Sequence, residues 1–449
     1  MTRADAMPSL ASIVALMAAT FPGPFVYSAI GVAVPALARE FALTPGEVQW
    51  AASAFIASMM GGMLVASALL ARHGLARSLA IAGGGFATGA AVAAFAASFP
   101  LLVALQFAMG AFAGLMQPIA LVTLYRAYPD SMRGRATSVY GVAIAVVSTL
   151  APTVAGLVVD AWSWRGLFVV PMPLALAGLI AARLAPASAR GERRVPDVAG
   201  LVLLWTALVA VLAVDVRGTA AAALAPLAIA LVAAVALVRR LARARQPLVD
   251  PGLFRYPGFV AASAVAMLYG ALMFGMIYLV PVYVQIGLGA SPSVAGLVQI
   301  PAGIALAVAI FLGGAAIDRW SFRPVLAAGM AVLAASSALL GWTTVTATLA
   351  AVTVLSASGR AGIGFVFGGL NTGATRVVPD ERLAEVPGLV NFFRMLGGAL
   401  GVKALSMIID ARLATADTPP AQAFGTAFLV LALLAVAAVP VAARMRPPA

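Results

Sequence analysis

Cysteine is absent from this 449-residue sequence, and histidine occurs once, as His73 in a polar break. The first absence excludes a disulfide framework, a thiolate zinc site and a cysteine nucleophile, and it leaves the redox compartment unread. A single histidine excludes a histidine metal cluster and a serine–histidine–acid triad. Neither a metal nor a cofactor is therefore expected, and the chain does not read as an enzyme. Charge is scarce as well: 10% of residues are charged and 63% are hydrophobic, whereas soluble domains are roughly a quarter charged. Length alone would suggest about three soluble domains. Apolar runs of twenty or more residues instead recur from Leu10 to Val441 with short polar breaks, which predicts an all-α membrane protein that crosses the bilayer many times.

Cutting at charges, prolines and turn residues predicts fourteen transmembrane helices, at about 10–37, 48–70, 78–97, 100–125, 136–159, 165–183, 198–214, 219–238, 258–286, 294–316, 324–342, 345–375, 386–409 and 421–443. The first is interrupted by Pro22-Gly23-Pro24, is too long for a signal-peptide core and lacks a cleavage context, so it reads as a retained span. Acids number 15 against 28 lysines and arginines, a net charge of +13. On these spans 21 cations fall on one side, four (Arg39, Arg165, Arg217, Arg412) on the other, and Arg360, Arg394 and Lys403 within spans. Lysine and arginine accumulate in cytoplasmic loops, so both termini are expected in the cytoplasm and the protein in the inner (plasma) membrane. The basic charge then reflects topology and attraction to anionic lipid, not nucleic-acid binding.

The chain also matches itself at a nearly constant offset. Thr44-Pro45 before span 2 returns as Ser291-Pro292 before span 10, and Ala71-Arg72 after span 2 returns as Asp318-Arg319 after span 10, each 247 residues on. Pro129-Asp130 after span 4 returns as Pro379-Asp380 after span 12, at an offset of 250. Three matches at the same places relative to spans indicate two six-helix halves. The organisation expected is residues 1–185 as the first half, 186–256 as two additional helices with basic flanks, and 257–449 as the second half. Two parallel halves around a central pathway suit a transporter whose substrate binds near the midplane.

The motifs add a resemblance. The stretch Ser67-Ala68-Leu69-Leu70-Ala71-Arg72-His73-Gly74 resembles the G-x-L-a-D-r-x-G loop of the major facilitator superfamily, and Gly314-Ala315-Ala316-Ile317-Asp318-Arg319 resembles its second copy. Ala151-Pro152-Thr153-Val154-Ala155-Gly156 is similar to the antiporter motif G-P-x-x-G-G, and Asp160-Ala161-Trp162-Ser163-Trp164-Arg165 to the D-x-x-S-W-R segment of the fourteen-span drug:proton antiporter branch, the EmrB/QacA type. Pro247-Leu248-Val249-Asp250, Pro281-Val282-Tyr283-Val284-Gln285 and Asn391-Phe392-Phe393-Arg394-Met395-Leu396-Gly397-Gly398 fit spans 9 and 13 of that branch. The resemblance implies the superfamily fold with two inserted helices, multidrug efflux and protons as the coupling ion. It also implies conformational roles for Arg72, Gly74, Asp318, Arg319 and Arg394 near the cytoplasmic ends, and for Pro152 and Gly156 in span 5. Physically, Pro152 bends its helix and small neighbours permit close approach, while an acid and arginines at helix ends can cross-link the halves in one state.

The chain departs from the branch at its coupling residues. The family's span 1 acid is replaced by Val26 and its span 4 arginine by Gln106, and none of the 15 acids falls near the middle of a span. Proton coupling normally needs an intramembrane carboxylate. Arg360 instead falls near the middle of span 12, so a cavity with three intramembrane cations and no mid-span carboxylate is expected to prefer neutral or anionic amphiphiles. Tyr27, Phe55, Met59, Met63, Gln106, Met109, Gln117, Tyr278, Arg360, Asn371 and Asn391 are the candidate cavity residues, since adaptable methionine suits promiscuous binding and intramembrane amides seek partners. The leading expectation is export of small amphiphilic molecules by alternating access, as a monomer, with no adaptor protein recognisable. An uptake carrier or uncoupled facilitator, and a transport-inactive sensor or scaffold, are the alternatives.

Overall fold

The computed structural model describes residues 10–127, 130–184, 197–214, 220–244, 248–379, 382, 386–414 and 419–445. Proline sets many of the helix starts, because its fixed φ suits the first turn and its missing N–H is unneeded there. It opens α2 (Pro22–Phe41), α3 (Pro45–Ala93), α10 (Pro257–Val282), α11 (Pro292–Leu297) and α16 (Pro420–Ala443). The break expected at Pro22-Gly23-Pro24 accordingly lies just before it, between α1 (Leu10–Ala18) and α2. The remaining helices are α4 (Phe99–Ala127), α5 (Asp130–Ala161), α6 (Gly166–Val169), α7 (Met172–Leu184), α8 (Val198–Leu212), α9 (Ala220–Arg243), α12 (Gln299–Trp320), α13 (Phe322–Thr343), α14 (Leu349–Thr375) and α15 (Val386–Leu413). Among the described residues every regular element is helical. Eleven stretches there are long and apolar enough to cross a membrane.

α3 holds two expected spans, separated at Gly74, whose φ of +74° and ψ of 173° only glycine adopts without strain. The residue 247 positions on, Ser321 between α12 and α13, has φ of +80° and ψ of 164°. The duplication read from dipeptides is thus repeated in the backbone. Ser321 is exposed, so Ser321→Gly removes strain without losing a buried contact. It is expected to stabilise the protein by about 1 kcal/mol, read as a raised thermal midpoint in detergent.

The chain divides into two compact units whose segments interleave. Unit 1 comprises residues 1–27, 54–147 and 165–250. Its core gathers Ala15 and Leu16 from α1, Ala66, Leu75 and Leu79 from α3, Ile119 and Ala120 from α4 and Ala181 from α7. α3 and α4 touch through glycine: a Cβ on Gly62 would lie 2.1 Å from the Ala111 carbonyl oxygen, and one on Gly114 2.0 Å from that of Met59. α8 and α9 form a hairpin tied at one end by Arg240, whose Nε lies 2.6 Å from Oδ1 of the largely buried Asp197. The same Oδ1 accepts the Gly200 N–H and caps α8. The hairpin leans on α3 and α4 through Trp205, whose indole lies over Gly61 and meets the Phe107 ring edge-on at 5.1 Å.

Unit 2 comprises residues 28–53, 148–164 and 251–449. Within it α14 packs on α12 and α13, α15 on α10, and α16 on α13. α10 crosses α15 closely, where Gly270 faces the Arg394 carbonyl and Gly397 faces that of Met267.

Candidate transport site

The cavity residues proposed on the first half gather in unit 1, and several serve its helix contacts. Phe55, Met59 and Met109 are fully buried. The Phe55 and Met59 carbonyls abut Gly110 and Gly114, and the Met109 side chain fills the space beside Gly89. The backbone of Phe55 and Met59 and the side chain of Met109 therefore join α3 to α4, a role that hydrophobicity does not distinguish from lining a cavity. Met59 and Gln117 come together beside Gly23 at the start of α2, while Met63 and Gln117 stay half-buried and Tyr27 is buried. Gln106 has no exposed surface, and among the described residues neither its amide oxygen nor its nitrogen has a hydrogen-bond partner. Such a group forgoes about 1–3 kcal/mol per unsatisfied atom and gains most from a polar ligand.

In unit 2 Arg360 lies on α14 with 3% of its surface exposed. It is eleven residues from the first residue of the helix, roughly 17 Å along its axis, which keeps it near mid-span although α14 begins at Leu349 rather than at 345. Its neighbour Gly359 abuts Ser336 of α13 and Met276 of α10. Tyr278 of α10 is buried, with a hydroxyl that has no hydrogen-bond partner among the described residues. Asn371 turns its amide nitrogen to the Phe367 carbonyl at 2.8 Å, leaving its oxygen for other partners. Asn391 accepts a hydrogen bond from Arg394 Nη2, and the Arg394 guanidinium lies 5.8 Å from the centre of the Phe367 ring. Lys403 lies 5.7 Å from the Trp50 ring centre, a cation–π contact in place of the reach to the membrane surface that its position allows. Neither aromatic partner was legible beforehand; the only signal was an aromatic at similar depth to a cation.

Of the conformational residues, Arg72, Asp318 and Arg319 are exposed, and Asp318 and Arg319 form no ion pair among the described residues. Asp130 and Pro129 of the repeat, and Asp380, lie outside the residues whose side chains are described. Pro152 and Gly156 are buried against α11: a Cβ on Gly156 would lie 2.4 Å from the Pro292 carbonyl oxygen, and one on Gly296 2.5 Å from that of Pro152. Thr153 Oγ1 donates to the Gly296 carbonyl at 2.9 Å. At the same end of unit 2 Gln285 donates to the Val32 carbonyl at 3.0 Å, Gly31 abuts the Ile277 carbonyl, and Trp164 Nε1 donates to Glu40 at 2.5 Å. Thr153 thereby fastens α5 to α11 and Val32 and Gly31 fasten α2 to α10 and the turn after it, while Trp164 ties the segment after α5 to α2.

A family model described as the Major Facilitator Superfamily matches residues 16–402. The chain belongs to that superfamily. It is a multi-pass membrane transporter with multidrug-efflux relatives, not an enzyme. It is 27% identical over 414 residues to the methylenomycin A resistance protein of Streptomyces coelicolor, covering 90% of this chain and 86% of that one. It is 27% identical over 389 residues to the multidrug efflux pump LfrA of Mycolicibacterium smegmatis, covering 85% and 77%. Among solved structures it is similar in fold to a bacterial homologue of the human lysosomal transporter Spinster, with a TM-score of 0.72, 16% identity and coverage of 97% and 96%. A D-xylose–proton symporter gives a TM-score of 0.68 at 17% identity, with coverage of 97% and 99%. The superfamily and its fold agree with the motifs quoted from spans 2, 5, 6 and 10.

Proposed function

We propose that this member of the superfamily is an inner-membrane exporter of small amphiphilic molecules, with proton antiport as its driving mode. The observation that carries this reading is the fastening of α2, α3 and α5 ends to second-half helices inside unit 2: a closed end is one of the two states that alternating access requires. The distribution of cations supports assigning that end to the outside and both termini to the cytoplasm. The shorter apolar helices Val146–Ala161, Gly166–Ala181 and Val198–Leu212 serve as spans 5, 6 and 7, for fourteen in all. The residues with most to contribute to substrate are Gln106 and Gln117 in unit 1 and Arg360, Tyr278 and Asn371 in unit 2. Relatives named for drug resistance and multidrug efflux support export of drug-like compounds.

The test is transport of neutral, anionic and cationic dyes in proteoliposomes with an imposed pH gradient, with and without a protonophore. Gradient-driven movement is expected. Movement that ignores the gradient would favour an uncoupled facilitator, the reading that Val26 and Gln106 at the family's coupling positions support. No movement of any dye would favour a transport-inactive scaffold.

A further inference from the structure

The outer end of unit 2 contains the same capping arrangement twice. α3 starts with Thr44 as its cap: Thr44 Oγ1 accepts the Glu47 N–H at 3.3 Å, and Glu47 returns the favour to the Thr44 N–H at 2.7 Å, a reciprocal capping box. Pro45 has no N–H to satisfy, which leaves the Gly46 N–H as the donor the box does not serve. It goes to Asp410 Oδ1 of α15 at 3.0 Å, while Thr44 Oγ1 lies 3.2 Å from Asp410 Oδ2. Asp410, expected beyond a span ending at 409, lies inside α15 and is 3% exposed.

α11 repeats this. Ser291 Oγ accepts the Val294 N–H at 3.3 Å, Pro292 follows, and the Ser293 N–H goes to Asp160 Oδ2 of α5 at 2.8 Å. Ser293 stands 247 residues after Gly46, and Asp410 stands 250 after Asp160. These are the offsets of the internal duplication for spans 2 and 10 and for the region after span 4. Each carboxylate, from span 5 or span 13, thus supplies the acceptor missing from the start of span 10 or span 2 in the opposite half.

We infer that Asp410 and Asp160 are paired latches that hold the outer end of the transporter shut, each by placing a carboxylate on the N-terminus of a helix from the other half. Opening that end separates α3 from α15 and α5 from α11, which exposes two backbone donors and strips both carboxylates of their helix-dipole partner. The latches differ in strength. Asp410 is shielded from water, and Gly46 makes room for it, since a Cβ there would lie 1.7 Å from Asp410 Oδ2. Asp160 is exposed, where screening by water weakens the same attraction. The inference rests on the alternating-access reading, but its test needs neither substrate nor gradient, so it can fail while transport succeeds, and the reverse.

Because the chain has no cysteine, paired spin labels can be placed without removing any. One pair on Ala42 and Ala414 reports on α3 and α15, and another on Ala161 and Leu297 reports on α5 and α11. All four residues are exposed. In lipid nanodiscs Asp410→Asn, which keeps an acceptor and loses the charge, is expected to raise the long-distance population of the first pair about tenfold relative to the short one. Gly46→Val, which excludes the carboxylate sterically, is expected to match it. Asp160→Asn is expected to shift the second pair by about twofold, and the double variant to show at least the product of the two. Unchanged distances in folded Asp410→Asn and Gly46→Val proteins would overturn the inference. Should neither fold, unchanged distances for the second pair in Asp160→Asn, at an exposed residue, would overturn it equally.

Discussion

Replacing Gly397 or Gly270 with valine is expected to leave almost no folded protein. A Cβ at either position would lie 1.8 Å from a backbone carbonyl oxygen of the facing helix, that of Met267 for Gly397 and of Arg394 for Gly270. No side-chain rotamer relieves a clash with backbone, so α10 and α15 must move apart along much of their crossing. In a membrane, helix association depends on this close contact rather than on expulsion of water. The separation would also loosen Gly401 from Ala271 and Gly398 from Phe274. The expected cost exceeds about 3 kcal/mol, at or above the upper range for overpacked cores and a large part of a typical total stability of about 5–15 kcal/mol. The measurement is the yield of monodisperse protein and its thermal midpoint in detergent. Gly314→Ala and Gly388→Ala are the controls: a Cβ at either meets nothing within 4 Å, so both proteins are expected to keep wild-type yield.

The contrast between these glycines also marks what could be read in advance. Apolar length located the spans, because any segment crossing hydrocarbon must satisfy its backbone internally and present apolar side chains. Two helix starts were legible too, since Thr44-Pro45 and Ser291-Pro292 are local signals for a capped start and each opens a helix. Which face of a span meets lipid and which meets protein was not legible, because both surroundings are apolar. Hence the backbone of Phe55 and Met59 and the side chain of Met109 also serve helix contacts, and the close approach at Gly270 and Gly397 does not show in hydropathy, although Gly397 stands in a quoted motif. Partnerships across the chain were hidden for a related reason. Asp410 read as a loop acid because hydropathy ends span 13 at the first charge, whereas its helix continues to Leu413 and buries the carboxylate on Gly46, 364 residues away in sequence. Trp50 beneath Lys403 depends on the same kind of distant pairing.

Arg360→Ala is expected to reduce transport of anionic amphiphiles by at least tenfold while leaving lipophilic cations as well transported as before, or better. Arg360 is buried near the middle of α14, and the sequence places none of the 15 acids near the middle of a predicted span. Removing water from around a guanidinium strengthens its attraction for an anionic group, and a charge-assisted hydrogen bond contributes about 1.5–3 kcal/mol, which corresponds to a factor of at least ten. A cationic substrate meets repulsion at the same place and loses nothing with the arginine. Arg360→Lys keeps the charge but not the planar fork, so it is expected to retain part of the anion transport. Arg360→Met keeps bulk without charge and separates lost packing from lost electrostatics: if the role is packing against Ser336, Met276 and the other neighbours of Gly359, Met restores transport, and if it is charge, Met behaves like Ala. Initial rates for a matched pair of anionic and cationic dyes in proteoliposomes decide the matter. Equal losses for both dyes in Ala and Met would mean that Arg360 holds the fold of α14, and transport of lipophilic cations that collapses with Ala would overturn the preference for neutral and anionic substrates.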